Sequence, residues 1–245
     1  MSEHSKLDVL DLVVYSRSLA VMMNAGVSLV RDLTILQALF DEPLRSATGL
    51  LYNEVSAGAT LSAAMGKRPD VFTRLYAHMV RVGEVGGVLD ETCQQVADLL
   101  EADWANARDT SANSHGLLMP CRAAEPSFGA AAPDDQMRML SLYFRALGTM
   151  LTAGVPVTAE ILWDTAAGIL PPGPERDALA AMAAKVHGSG RLESEFFRLP
   201  FLPDFALQLV SISIETGTFA LMCEKIAQLL EYQRRYYLLK QGKQA

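Results

Sequence analysis

Ser16-Arg17-Ser18-Leu19-Ala20-Val21-Met22-Met23-Asn24-Ala25-Gly26-Val27-Ser28 returns later in the chain as Phe144-Arg145-Ala146-Leu147-Gly148-Thr149-Met150-Leu151-Thr152-Ala153-Gly154-Val155-Pro156. Arg17, Leu19, Met22, Ala25, Gly26 and Val27 recur as Arg145, Leu147, Met150, Ala153, Gly154 and Val155, at a shift of 128. Two more blocks follow in the same order. Gly83-Glu84-Val85-Gly86-Gly87 aligns with Ile214-Glu215-Thr216-Gly217-Thr218 at a shift of 131. Cys93-x-x-Val96-Ala97-x-Leu99-Leu100-Glu101 aligns with Cys223-x-x-Ile226-Ala227-x-Leu229-Leu230-Glu231 at a shift of 130. Such spacing means a duplicated domain of about a hundred residues, because solenoid units repeat every ~20–50.

Outward from these blocks the pattern is helical. Leu12, Tyr15, Leu19 and Met22 step at three and four residues, which builds one apolar face over 7–24. Ala25-Gly26 ends that helix, and Ser28 is placed to cap a second one carrying Leu29, Leu33 and Leu36. Asp41-Glu42-Pro43 breaks the chain, with Pro43 suited to the first turn of a third helix that stops near Ala57-Gly58. A short fourth helix follows Thr60. A fifth is predicted over 72–83, with Phe72, Leu75, Met79 and Val82 on one face. Gly83–Gly87 reads as a tight connection, and a sixth helix over 88–108 carries Leu89, Cys93, Val96 and Leu100 at steps of four, three and four. The expected fold is all-α: two tandem antiparallel six-helix bundle domains from an internal duplication, at 7–108 and 136–240. Residues 109–135, rich in Ala, Ser, Pro, Gly and Asp, read as a flexible linker.

Half of the 245 residues are hydrophobic, enough for one large core or two small ones, and aromatics are sparse. The net charge of −7 argues against a general nucleic-acid binder. A local basic run, from Arg234 to Lys243, suits a helix C-terminus or a contact with anionic lipid headgroups. Three widely spaced cysteines, Cys93, Cys121 and Cys223, do not build a disulfide framework. No signal-peptide core follows Met1, and no apolar run approaches the ~20 residues of a membrane helix. Membrane contact is expected to be peripheral at most.

Chemistry-bearing motifs are not evident. No Cys-x-x-Cys or His/Cys cluster has ligand spacing, so no metal and no cofactor are expected; His115 and Cys121 are near each other but lie in the linker. No Gly-x-Ser-x-Gly and no phosphate-cradling Gly-rich loop occurs, and the glycines at 83, 86 and 87 follow no strand. The chain is therefore read as no enzyme. The repeated charges remain: each helix-one arginine, Arg17 or Arg145, is expected to pair with Glu84 or Glu215 of its own copy. The carboxylate is also placed to accept N–H groups at the start of helix six.

These residues resemble the type II secretion system F family, the inner-membrane platform proteins of type II secretion and type IV pilus machines. The resemblance rests on Arg17-x-Leu19-x-x-Met22-x-x-Ala25-Gly26-Val27-x-Leu29, Val55-x-x-Gly58-x-x-Leu61, Pro69-x-x-Phe72, and Val82-Gly83-Glu84-x-Gly86-Gly87-x-Leu89. Copy two is the weaker match: Ile214 replaces the glycine before Glu215, and Thr218 the second glycine after it. The resemblance implies two cytoplasmic six-helix domains that meet the assembly ATPase and platform partners on the cytoplasmic face of the bacterial inner membrane. Where the family has membrane helices, this chain has the polar linker, and it stops at Ala245. The expected role is a binding scaffold, with self-association into a homo-oligomer; the alternative is an adaptor that reuses the fold outside the secretion machine. The interaction residues expected from the repeats are Arg17, Gly26, Gly83, Glu84, Gly86, Gly87, Arg145, Gly154, Glu215 and Gly217.

Overall fold

The computed structural model describes residues 7–109, 127–189 and 192–241. The chain divides into two units, Met1–Ala123 and Ala124–Ala245. Among the described residues, each unit holds six α-helices and no strand.

In the first unit the helices are α1 (Val9–Asn24), α2 (Leu29–Leu39), α3 (Leu44–Ser56), α4 (Leu61–Met65), α5 (Arg74–Gly86) and α6 (Leu89–Asp109). Asp8 caps α1 by accepting from the Leu10 N–H at 3.0 Å. Ser28 has the extended backbone of a cap residue but makes no side-chain cap bond, and Pro43 sits just before α3 rather than inside its first turn. The main packing is between the first and last helices. Asn24 reaches Asp90 while Arg17 reaches Asp98 and Glu101, so α1 and α6 run antiparallel. The apolar faces read from the periodicity are the ones buried: Leu12, Tyr15 and Leu19 on α1, and Cys93, Val96 and Leu100 on α6, are fully inaccessible. Each contributes about 1.5–3 kcal/mol if a large side chain. Tyr15 packs with its ring tilted, 5.5 Å from Phe40 and 5.8 Å from Phe72, and Tyr76 lies 5.2 Å from Phe72. The Tyr76 hydroxyl meets Ser16 Oγ at 2.7 Å, and Ser16 donates onward to the Leu12 carbonyl, so the buried phenol is satisfied.

Helix α5 differs from its expected bounds. It starts after Thr73, whose hydroxyl accepts from the Tyr76 N–H at 3.2 Å, and runs on through Gly83, Glu84 and Val85 to Gly86. The stop is Gly87, at φ +69°, where an L side chain is strained. Gly83 is needed for a different reason. A Cβ there would lie 2.8 Å from Thr92 Oγ1 and 2.9 Å from Leu89 Cα, so α5 and α6 touch at backbone distance.

The second unit opens with a 3₁₀ turn at Phe128–Ala130. Then come α7 (Pro133–Thr152), α8 (Glu160–Ala167), α9 (Pro174–Ser189), α10 (Leu192–Phe196), α11 (Asp204–Thr216) and α12 (Phe219–Lys240). Helix α7 begins ahead of residue 136, because Pro133 takes its first position and Asp134 and Asp135 follow in the first turn. Helix α12 lies antiparallel on α7: Ser141 donates to the Ala227 carbonyl at 2.9 Å, while a Cβ on Gly148 would sit 3.3 Å from the Ala220 carbonyl. The core is a chain of rings, Phe144, Phe196, Trp163 and Phe219, at 6.0–6.4 Å between neighbours. The Trp163 indole N–H donates to the Val157 carbonyl at 2.7 Å.

Two stability outcomes follow. Gly83→Ala is expected to cost about 1–3 kcal/mol in denaturant unfolding through overpacking, although alanine is the better helix former by ~1 kcal/mol; a more stable variant would contradict the backbone contact. Asp32, on α2, is fully buried with both carboxylate oxygens unpartnered, and burial raises its pKa. A raised pKa means the folded state holds its proton longer than the unfolded chain, so this group's contribution to stability falls as pH rises above the unfolded value. Asp32→Asn should therefore raise the melting temperature at pH 7, by about 1 kcal/mol of stability. The gain should shrink towards pH 4, as a pH series of melting curves would record.

Candidate functional site

Glu84 projects from α5 to the start of α4. Its carboxylate accepts from the Leu61 N–H at 2.5 Å, the Ser62 N–H at 3.3 Å and the Ser62 hydroxyl. Thr60 accepts from the next N–H, that of Ala63, at 3.3 Å. The leading donors of a five-residue helix, which has no internal partners for them, are thus held by two side chains. Glu84 fixes α4 against α5, while Gly83 beside it fixes α5 against α6. The clamp is half-buried.

This arrangement corrects the expected ion pair. The Glu84 carboxylate caps α4, not α6, and does not meet Arg17. Arg17 instead pairs with Asp98, at 3.0 Å, and with Glu101, which lie nearly one turn apart on α6. All three side chains are well exposed, so the pairs contribute about 0–1 kcal/mol each. The spacing of Asp98 and Glu101 on the polar side of α6 was the available signal for this pairing. Ser62 had no comparable signal, since only the approach of α5 to α4 gives it a role.

The second unit departs further. Gly217, at φ +68°, ends α11 as Gly87 ends α5. The Thr218 N–H donates to the Ser213 carbonyl as the Val88 N–H does to that of Gly83, both at 2.9 Å. The structural shift at this turn is therefore 130, not 131. Ser213 stands for Gly83, Ile214 for Glu84, and Glu215 for Val85. Glu215 is exposed, whereas the Nε of Arg145, its expected partner, is buried with no hydrogen-bond partner. A carboxylate still ties the short helix to its neighbour, with its position reversed: Glu193, on α10 where α4 has Ser62, accepts from the Ser211 hydroxyl on α11.

Arg145 takes the place on α7 that Arg17 has on α1, but its Nε is buried with no hydrogen-bond partner. It lines a cleft of about 430 Å³ whose other walls come from α12 between Gln228 and Leu238. Gly26 and Gly154 end α1 and α7 with φ of +79° and +92°, and Gly86 is the last residue of α5. Cys93 and Cys223 are buried free thiols; burial, with Asp90 and Glu84 nearby, pushes the Cys93 thiol up to about 12, so it stays protonated. Among the described residues, no group of three or more His, Cys, Asp or Glu is placed to hold a metal ion. No helix among them is long and apolar enough to cross a membrane. His115 and Cys121 lie outside the described residues.

Glu84→Lys is expected to cost about 1–3 kcal/mol, because it strips the acceptor from two helix-end donors. Glu215→Lys should stay within about 0.5 kcal/mol. Equal losses in urea unfolding would contradict the clamp.

Residues 15–121 and 143–240 match the family described as type II secretion system (T2SS), protein F. A type II secretion system protein F of Xanthomonas campestris pv. campestris is 40% identical over 95 residues, 38% of this chain and 24% of its own. The type IV pilus assembly protein PilC of Pseudomonas aeruginosa is 34% identical over 97 residues, 39% of this chain and 26% of its own. The PilC of Thermus thermophilus is 35% identical over 94 residues, 38% of this chain and 23% of its own. The matched stretch is thus about a quarter of the length of these relatives.

Proposed function

The chain belongs to the type II secretion system protein F family, and on that premise we propose that it is a non-enzymatic scaffold of a secretion or pilus assembly machine. Its partners are the assembly ATPase and the inner-membrane platform proteins, met on the cytoplasmic face. The observation that carries this reading is the family match to both six-helix units. The surface supports it. Leu10, Val14 and Val21 stay exposed along α1, and Leu221, Leu229, Tyr232, Tyr236 and Leu239 along α12. On each helix these positions fall on one face at helical spacing, and contiguous exposed apolar surface is what docking consumes. The same stripes suit association between copies of the chain.

The exchange of Glu84 for Ile214 at the equivalent turn favours a second reading, a helical adaptor that reuses the fold outside the secretion machine. Affinity capture from native cells, split into membrane and soluble fractions, separates the two. Recovery at the membrane with the assembly ATPase supports the scaffold; recovery in the soluble fraction without secretion partners supports the adaptor. Val21→Lys and Leu229→Lys, both at exposed positions, are expected to lower ATPase recovery at least tenfold while leaving the melting temperature unchanged. Undiminished recovery with both variants would remove the stripes from the docking surface.

A further inference from the structure

The duplication supplies an internal control for the cleft at Arg145. In the first unit the helix-one arginine is neutralised: Arg17 meets Asp98 and Glu101 on α6. At the shift of 130, Asp98 becomes Gln228 and Gln94 becomes Glu224, so that carboxylate moves one turn along the helix, where it accepts from Gln228 at 3.3 Å, outside the lining of the cleft; Glu101 becomes Glu231. Glu231 is engaged elsewhere, accepting from Arg234 Nη1 at 2.7 Å. Two new cations enter on the same wall, since Arg234 stands where the first unit has Trp104, and Arg235 where it has Ala105. The cleft of the second unit is thus lined by three arginines and one carboxylate, Glu231.

The three arginines line a single cleft of about 430 Å³, within the range of small-ligand sites. The Nε atoms of both Arg145 and Arg234 are shielded from solvent with no acceptor. A buried donor without a partner costs about 1–3 kcal/mol, and a guanidinium offers its donors as a planar fork that fits oxyanions. Arg234 is held in place by Glu231 with its side chain only 15% exposed, so its fork is presented without free rotation. Tyr232 adds a phenol at the rim.

We propose that the cleft between α7 and α12 is a binding site for a phosphate-class oxyanion, gripped by Arg145 and Arg234 from inside and by Arg235 at the mouth. The phosphate belongs either to a soluble phosphate compound or to a lipid headgroup; the chemistry of the grip is the same. The site is particular to the second unit, because in the first Asp98 and Glu101 already occupy the arginine.

The test is titration of the 245-residue chain with inorganic pyrophosphate by calorimetry, against sodium chloride of matched ionic strength, and in parallel flotation with phosphatidylglycerol vesicles. Arg145→Gln and Arg235→Gln are compared with Arg17→Gln, and each fold is checked by circular dichroism. Pyrophosphate affinity is expected to fall at least tenfold in Arg145→Gln and several-fold in Arg235→Gln, with no change in Arg17→Gln. Vesicle binding lost in the same two variants assigns the phosphate to a lipid; pyrophosphate binding without flotation assigns it to a soluble compound. Arg235 is exposed, so its variant stays informative if Arg145→Gln fails to fold. Heat that chloride reproduces, or wild-type affinity in Arg235→Gln or in a folded Arg145→Gln, would overturn the proposal.

Discussion

Everything else in each unit is arranged around the antiparallel seam between its first and last helices, α1 on α6 and α7 on α12. The seam is where the buried faces are most complete, with Leu12, Tyr15 and Leu19 in the same unit as Cys93, Val96 and Leu100. It is also where small residues set the separation, as Gly148 does beneath Ala220. The four shorter helices fill the space that a two-helix seam leaves uncovered. Because α4 and α10 have only five residues each, they do not persist by propensity and rely on side-chain contacts with the neighbouring helix, Glu84 with Ser62 and Glu193 with Ser211.

The six-helix plan and the core faces were legible because they depend on period and on residue class, and both survive in a single sequence. The ends of helices were legible where glycine marked them, as at Gly26 and Gly154. What was not legible was which charge meets which. Arg17 and Glu84 recur together with a plausible counterpart pair, yet their meeting depends on the rotation of α5 about its own axis, and that is set by the contact of Gly83 with Thr92 and Leu89. The helix runs on through Glu84 until the positive φ of Gly87 stops it, where the glycine-rich stretch read as a loop.

The one-residue slip at the second turn has a related cause. Aligning Glu215 with Glu84 satisfied residue identity; aligning Gly217 with Gly87 satisfies backbone conformation. A positive φ is a hard steric requirement that few residues meet, whereas a carboxylate is free to move by a turn or to a neighbouring helix when its partner moves with it. Glu193 and Ser211 show such a move. In diverged repeats the strained backbone positions keep the register, and the polar contacts drift around them.

An antiparallel seam also brings the two ends of a unit together. With Asn24 beside Asp90 and Arg17 beside Glu101, the start of α1 lies at the same end as the far part of α6. The chain enters and leaves the first unit through one doorway. A segment that joins such a unit to whatever follows need not span it, so the length and polarity of that segment are uncoupled from the stability of the bundle. Evolution is then free to lengthen, shorten or replace the joint between copies while each bundle folds by its own rules.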